Sequence, residues 1–257
     1  MSRNIVAFSV DNNYIEYAAA LVRSICEHHI TAGVICRGIN LTQKNKDRLL
    51  KIKPSLEFID DTSKLSRKRT LMKRYENPEE LFWTYSGSVY DMRGLRNITK
   101  TMYSPQAAYA CHSRFLSINS ILSTDCDRLL YLDADTIVNR NFDMIWRDDD
   151  YDLCVVPYGK KQTLFNNEGL LLINNTPAVF NFFKHVRNRI FEGDTYLEWD
   201  ADTRILNEVF EQNPINIKKI DKSYKDKQHK PDSYMWSGDG PRKTKTKFQN
   251  IINNGTD

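Results

Sequence analysis

The first sixty residues constrain the fold most. "NIVAFSV" (4–10) is a near-continuous apolar run, as expected of a strand covered on both faces. "YIEYAAALVRSICEHH" (14–29) carries an apolar stripe at Ile15, Ala18, Leu21, Val22 and Ile25, the spacing of a helix with one buried face. A second run, "GVICRGI" (33–39), and a second helical pattern, "TQKNKDRLLKIK" (42–53), follow, with Thr42 placed to cap the helix. "LEFID" (56–60) is a third strand. Strand, helix, strand, helix, strand is the order of an α/β chain whose mostly parallel sheet is flanked by helices.

That rhythm stops over residues 61–103, which are polar, basic and aromatic by turns. An insertion this long between regular elements is either functional or disordered; Trp83, Tyr85 and Tyr90 favour an ordered one. Alternation resumes with one helix near 105–122, then the strands "RLLYL" (128–132), "DLCVV" (152–156) and "GLLLIN" (169–174). A helix with Pro177 in its first turn (177–191) and another near 202–212 complete the pattern. From 213 to 257 the chain is Lys-rich and aperiodic. The expected organisation is a domain over 1–212, with the insertion at about 61–103, and a basic C-terminal extension over 213–257.

No apolar run approaches the ~20 residues that span a bilayer, and the first residues lack the apolar stretch and cleavage site of a signal peptide. Five cysteines (Cys26, Cys36, Cys111, Cys126, Cys154) are odd in number, scattered and free of any CxxC pair. They predict neither a disulfide framework nor zinc, and a cytoplasmic setting. Basic charge is concentrated in "KLSRKRTLMKR" (64–74) and "PRKTKTK" (241–247). Such runs meet phosphate backbones or anionic surfaces, or are simply solvated.

The chemistry is announced by "LLYLDADTIV" (129–138). Positions i and i+2 of an extended chain share a side, so Asp133 and Asp135 converge just past the end of a buried strand. In open parallel sheets ligands bind at that edge. Two like charges so close call for a cation, and oxygen-only ligation suits Mn²⁺ or Mg²⁺ bridging to a diphosphate. The plain alternative is that one Asp caps a turn and the other is solvated. Haloacid-dehalogenase-like phosphatases also carry hydrophobic-hydrophobic-Asp-x-Asp, with a nucleophilic first Asp. They place it near the N-terminus, whereas here more than 120 residues precede it, and Ile137 stands where they have Thr or Val.

Several motifs in order resemble metal-dependent glycosyltransferases of the GT-A (Rossmann-like) fold, most closely glycosyltransferase family 8, over roughly residues 4–210. In "FSVDNNYIEY" the resemblance implies that Asp11, Asn13 and Tyr14 hold the nucleotide; the plain alternative is a polar turn with Asp11 or Asn12 as a helix cap. In "YACHSRFLSINSIL" Arg114 matches the basic residue that reaches the donor phosphates, and an Arg there otherwise needs a carboxylate partner. "YLDADTIV" matches the Asp-x-Asp signature, with Asp135 chelating and Asp133 touching metal and ribose. "FNNEGLLLIN" resembles Phe-Asn-x-Gly, with Asn167 and Gly169 lining the sugar pocket and Glu168 where the family has a small residue. In "WDADTRILN" Asp202 and Asn207 fit the family, while Thr203 and Arg204 do not. Asp202 would bond sugar hydroxyls, or serve as a carboxylate at a helix start.

The C-terminal motif departs from the family. Gly238 is in place, but Met235 occupies the position of the His that is the third metal ligand. Asp239 or His229 is the substitute ligand to test, although a lone His is more often on the surface, and Lys243 or Arg242 would reach the diphosphate. The resemblance implies a retaining transferase that moves a sugar from a nucleoside diphosphate donor, UDP-linked, to a hydroxyl. Arg114 would stabilise charge, and Asp202 and Glu168 are the carboxylates with a candidate chemical role. The extension would complete the site. Aromatic residues of the insertion suit a glycan acceptor. The basic runs suit DNA with hydroxymethylated bases, as in phages, or peripheral contact with an anionic surface. A non-catalytic nucleotide-binding module is the other class, favoured by the missing His.

Overall fold

The computed structural model describes residues 3–65, 70–71, 102–103, 105–148, 150–157, 164–165, 169–193, 195–197, 201–238 and 246–253. Its strands are β1 (Asn4–Asp11), β2 (Gly33–Ile39), β3 (Glu57–Asp61), β4 (Thr70–Leu71), β5 (Met102–Tyr103), β6 (Arg128–Leu132), β7 (Thr136–Val138), β8 (Leu153–Val155), β9 (Leu170–Asn174), β10 (Ile217–Lys219) and β11 (Met235–Ser237). Its helices are α1 (Ile15–Glu27), α2 (Gln43–Ile52), α3 (Pro105–His112), α4 (Arg114–Leu122), α5 (Pro177–Ile190), α6 (Ala201–Gln212) and α7 (Thr246–Asn253).

Seven strands form one sheet in the order β10-β8-β9-β6-β1-β2-β3. β1 is parallel to β2 and β6, β2 to β3, and β10 to β8; β9 alone runs antiparallel to its neighbours, β6 and β8. The expected mostly parallel α/β sheet is therefore present. Its edge strand β10 comes from the segment past residue 212. Two small antiparallel pairs, β11 with β7 and β4 with β5, lie beside it.

The pleat sorts the core into two layers. Along β1, Val6, Phe8 and Val10 join α1 and Leu49 of α2 on one face. Ile5 and Ala7 join α4, α5 and α6 on the other. In β6, Leu130 and Leu132 go with the first layer, Leu129 and Tyr131 with the second. Each such Leu or Phe contributes roughly 1.5–3 kcal/mol of burial. All five stripe residues of α1 are buried. Thr42 caps α2 through the Asn45 N–H at 3.3 Å, and Thr176 caps α5 through the Val179 N–H at 3.2 Å.

One expectation fails locally. The single helix near 105–122 is two, separated at Ser113. The Ser113 hydroxyl donates to the Ala110 carbonyl at 2.8 Å, and Arg114 Nε donates to the Cys111 carbonyl at 2.8 Å. Side chains thus take carbonyls that an unbroken helix would use for its own N–H groups.

Candidate functional site

The site builds outward from the end of β6. The Asp133 N–H donates to the Gly169 carbonyl at 3.0 Å, and the Asp133 carbonyl accepts from the Thr136 N–H at 3.1 Å. A tight turn therefore joins β6 to β7, with small Ala134 buried in the core and the carboxylates of Asp133 and Asp135 half-buried on either side of it. Two neighbours press on this turn. A Cβ on Gly169 would lie 1.9 Å from Asp133 Oδ2 and 2.8 Å from Lys225 Nζ. A Cβ on Gly238 would lie 2.7 Å from the Asp135 carbonyl, which the Gly238 N–H itself meets at 2.8 Å. Both glycines admit close backbone approach to the carboxylate pair.

Gly169→Ala is accordingly expected to push the Asp133 carboxylate aside. Any reaction that depends on the placement of that carboxylate should slow about a hundredfold, the scale of a misplaced reacting group. Thermal stability should fall by about 1–3 kcal/mol, the scale of overpacking. Steady-state kinetics and a melting curve on one preparation check both.

Arg114 is buried at the start of α4. Its guanidinium stands 3.6 Å from Asp133 Oδ1 and 3.7 Å from Asp202 Oδ2. Both distances describe ion pairs rather than hydrogen bonds. Asp202 sits in the first turn of α6 and is buried; its Oδ1 accepts from the Thr203 N–H at 2.8 Å. Burial works against the Arg114 charge, but Cys111, Asp133 and Asp202 outweigh it and hold its pKa well above the usual value. One fixed cation thus ties the end of β6 to the start of α6.

Cys111, His112 and Asp202 place ligand atoms within 4.8 Å of one another. Arg114 Nη2 stands 3.0 Å from the Cys111 sulfur, so the cluster already holds a cation. Burial raises the Cys111 thiol to about 11, leaving it neutral at pH 7. These features argue against a soft metal there.

At the end of β1, Asp11 is buried. Its carboxylate accepts from the Asn13 N–H at 3.0 Å and from Asn13 Nδ2 at 3.1 Å, so Asp11 is the cap of this turn. Asn12, not expected to do more than cap, locks two loops together. It accepts from the Thr42 N–H at 3.1 Å and Asn45 Nδ2 at 2.7 Å, and donates to the Asn40 carbonyl at 2.6 Å. Tyr14 is 41% exposed, and its ring lies 5.4 Å from that of Tyr17. Asn207 bonds both backbone groups of Phe165, donating to its carbonyl at 3.0 Å and accepting from its N–H at 3.3 Å. It thereby anchors the Phe165 backbone, which precedes Asn167 and Glu168 in the sequence. Those two residues, and Asp239, Arg242 and Lys243, lie outside the described residues, as do Trp83, Tyr85 and Tyr90.

Two side chains differ from expectation. His229 is buried rather than on the surface. Its Nε2 lies 2.9 Å from the Ser237 carbonyl, and its ring stacks on Trp236 and Phe248 at 5.6 and 5.1 Å. Lys225 was not singled out at all, yet it is buried with its ammonium beside Asp133. In "SYKDKQHK" it stands among lysines that read alike as solvated, so no sequence signal distinguishes it.

The donor set fits a hard divalent ion shared with a ligand. The Asp133 side chain is 32% exposed, and two carboxylates at one turn leave coordination positions for diphosphate oxygens and water. Met235, in the position of the family's His ligand, is fully buried, pairs with Val138 and offers no donor for a hard cation.

A mostly parallel seven-stranded sheet with an Asp-x-Asp turn at the end of a central strand, beside a buried Arg, is the GT-A arrangement of nucleotide-sugar glycosyltransferases. Residues 5–225 match the profile of glycosyl transferase family 8, and the chain belongs to that family. This decides against the phosphatase reading of the same carboxylates.

Solved structures agree on the fold. The galactosyltransferase LgtC, in complex with donor and acceptor sugar analogues, aligns with a TM-score of 0.59 at 15% identity, over 98% of this chain and 96% of that one. The bifunctional glycosyltransferase WbbM gives 0.57 at 14%, over 98% of this chain and 50% of that one. GlyE of Streptococcus pneumoniae TIGR4 gives 0.53 at 17%, over 87% and 46%. The chain thus spans about half the length of WbbM and GlyE. No curated protein sequence matches it significantly. Among the described residues no helix is long and apolar enough to cross a membrane.

Proposed function

We propose that this glycosyltransferase moves a hexosyl or pentosyl unit from a UDP-linked donor to a hydroxyl of a glycan, with retention at the anomeric carbon and with Mn²⁺ or Mg²⁺. The observation that carries the proposal is the Asp133–Asp135 turn, with Arg114 holding Asp133 to Asp202. Asp133 and Asp135 hold the ion, with Asp239 as the candidate further ligand; when bound, the ion supplies Lewis-acid charge to the departing diphosphate. Tyr14 offers its exposed ring to the base, and Asp11 and Asn13 set the turn that reads it. Arg114, with Lys243 from the extension, contributes fixed positive charge toward the phosphates. Gly169 and Asn167 line the sugar pocket; Asp202 and Glu168 face the sugar hydroxyls, and the segment 213–257 closes the site.

Family membership supports retention, and the acceptor sugar analogue bound to LgtC supports a glycan acceptor. The basic runs that suggest DNA or an anionic surface lie largely outside the described residues. The test is a thermal-shift screen of nucleoside diphosphate sugars with and without Mn²⁺. A UDP-sugar is expected to raise Tm by several degrees with Mn²⁺ in saturating amount, and by less without it, because a ligand at a hundred times its Kd adds about 2.7 kcal/mol. A shift with guanosine- or deoxythymidine-linked sugars and none with UDP-sugars would refute the donor assignment.

A further inference from the structure

The strongest unassigned feature is the buried ammonium of Lys225. A buried lysine requires anionic surroundings, and the Asp133 carboxylate lies close to this one. A side chain begun on Gly169 would meet Asp133 Oδ2 at 1.9 Å and Lys225 Nζ at 2.8 Å, so carboxylate and ammonium share the space over that glycine. The other oxygen, Asp133 Oδ1, faces Arg114 at 3.6 Å. Asp133 therefore has two protein cations nearby, Arg114 in an ion pair and Lys225 across the space over Gly169.

The backbone fixes Lys225 there. It ends a short turn (Lys222–Lys225) whose start is capped by Asp221, through the Ser223 N–H at 2.8 Å. The next residue, Asp226, binds β11: its N–H donates to the Met235 carbonyl at 2.9 Å, and its carbonyl accepts from the Ser237 N–H at 2.9 Å. Its carboxylate gathers the Gln228 N–H at 2.8 Å, the Lys230 N–H at 2.6 Å and the Ser233 hydroxyl at 2.8 Å. Lys225 is thus bound to the strand that carries Met235. The stretch that lacks a neutral metal ligand is the stretch that brings in a positive charge.

We propose that Lys225 is a donor-binding residue whose ammonium, close to Asp133, engages the diphosphate of the nucleotide and takes over part of the role of the divalent ion. The inference rests on the donor-site reading above. Losing a neutral ligand and adding a unit charge weakens the site for a free divalent cation. The same change strengthens it for an anion, because ammonium–phosphate contacts are charge-assisted. Nucleotide binding should accordingly outlast metal removal.

The test uses the full chain and two probes, UDP and Mn²⁺. Calorimetry measures UDP affinity in Mn²⁺ and in EDTA, and electron paramagnetic resonance measures Mn²⁺ binding without nucleotide. The native protein is expected to bind UDP in EDTA within about tenfold of its affinity in Mn²⁺. Lys225→Met, close in length, should lose about tenfold or more in EDTA and bind Mn²⁺ alone more tightly, while Lys225→Arg keeps UDP binding. A gain in one affinity beside a loss in the other cannot arise from misfolding. Unchanged UDP affinity of Lys225→Met in EDTA, or native binding abolished by EDTA, overturns the assignment of Lys225 alone. No UDP binding by the native chain under either condition overturns the donor site and this proposal together.

Discussion

The double variant Asp133→Asn, Asp135→Asn is expected to lose sugar transfer by about a thousandfold or more while remaining folded. The turn that carries the pair is held by backbone bonds, from the Asp133 N–H to Gly169 and from the Thr136 N–H to Asp133. An amide in place of each carboxylate leaves those bonds and the side-chain volume alone. What disappears is the negative charge on which the proposed cation-and-diphosphate site depends. Each tenfold of rate corresponds to about 1.4 kcal/mol of transition-state stabilisation, and loss of a metal's charge stabilisation is worth several. Initial rates with a UDP-sugar, beside a circular-dichroism melt, measure the two halves of the expectation. Near-native turnover would remove the basis of the functional assignment.

Arg114→Met should be the most destabilising change at the site. The guanidinium is buried, and removing it leaves Asp133 and Asp202 with their shared cation gone. Breaking a buried ion pair by deleting one member costs about 3–5 kcal/mol. For a chain of this size that lowers Tm by roughly 10 °C. A double-mutant cycle with Asp202→Asn carries the diagnosis: if Arg114 acts through its charge, the second substitution should cost less in the Arg114→Met background than in the native one. Urea denaturation of the four proteins measures it, and additive costs would assign Arg114 to packing rather than charge. Arg114→Lys should restore only part, because a lysine lacks the Nε that donates to the Cys111 carbonyl.

The parts of this fold legible in the sequence are those governed by period. β1, β2 and β6 are buried on both faces and read as continuous apolar runs, while α1 and α5 show one apolar stripe each. Strand direction was not legible in "LLLIN". A strand buried on both faces has the same composition whichever way it runs, and β9 runs against its neighbours. The break at Ser113 was hidden because it depends on two side chains taking specific carbonyls, not on a Pro or Gly.

At the candidate site, Asp133, Asp135, Arg114 and Gly169 stand out in the sequence by residue type and order, and the structure brings Arg114 and Gly169 to Asp133. The short strands β10 and β11 were not legible, having three residues each and no room for a period. With them went Lys225 and the buried His229, whose surroundings are set by long-range pairing that local pattern does not encode.

The pairing of β11 with β7 bears on the order in which this protein matures. On the ribosome, β1 through β9 emerge first and can assemble most of the sheet. The Asp135 carbonyl receives the N–H of Gly238 only after about a hundred further residues have been made. A nascent chain halted earlier would hold the local turn but lack the pairing of β11 with β7 that backs it.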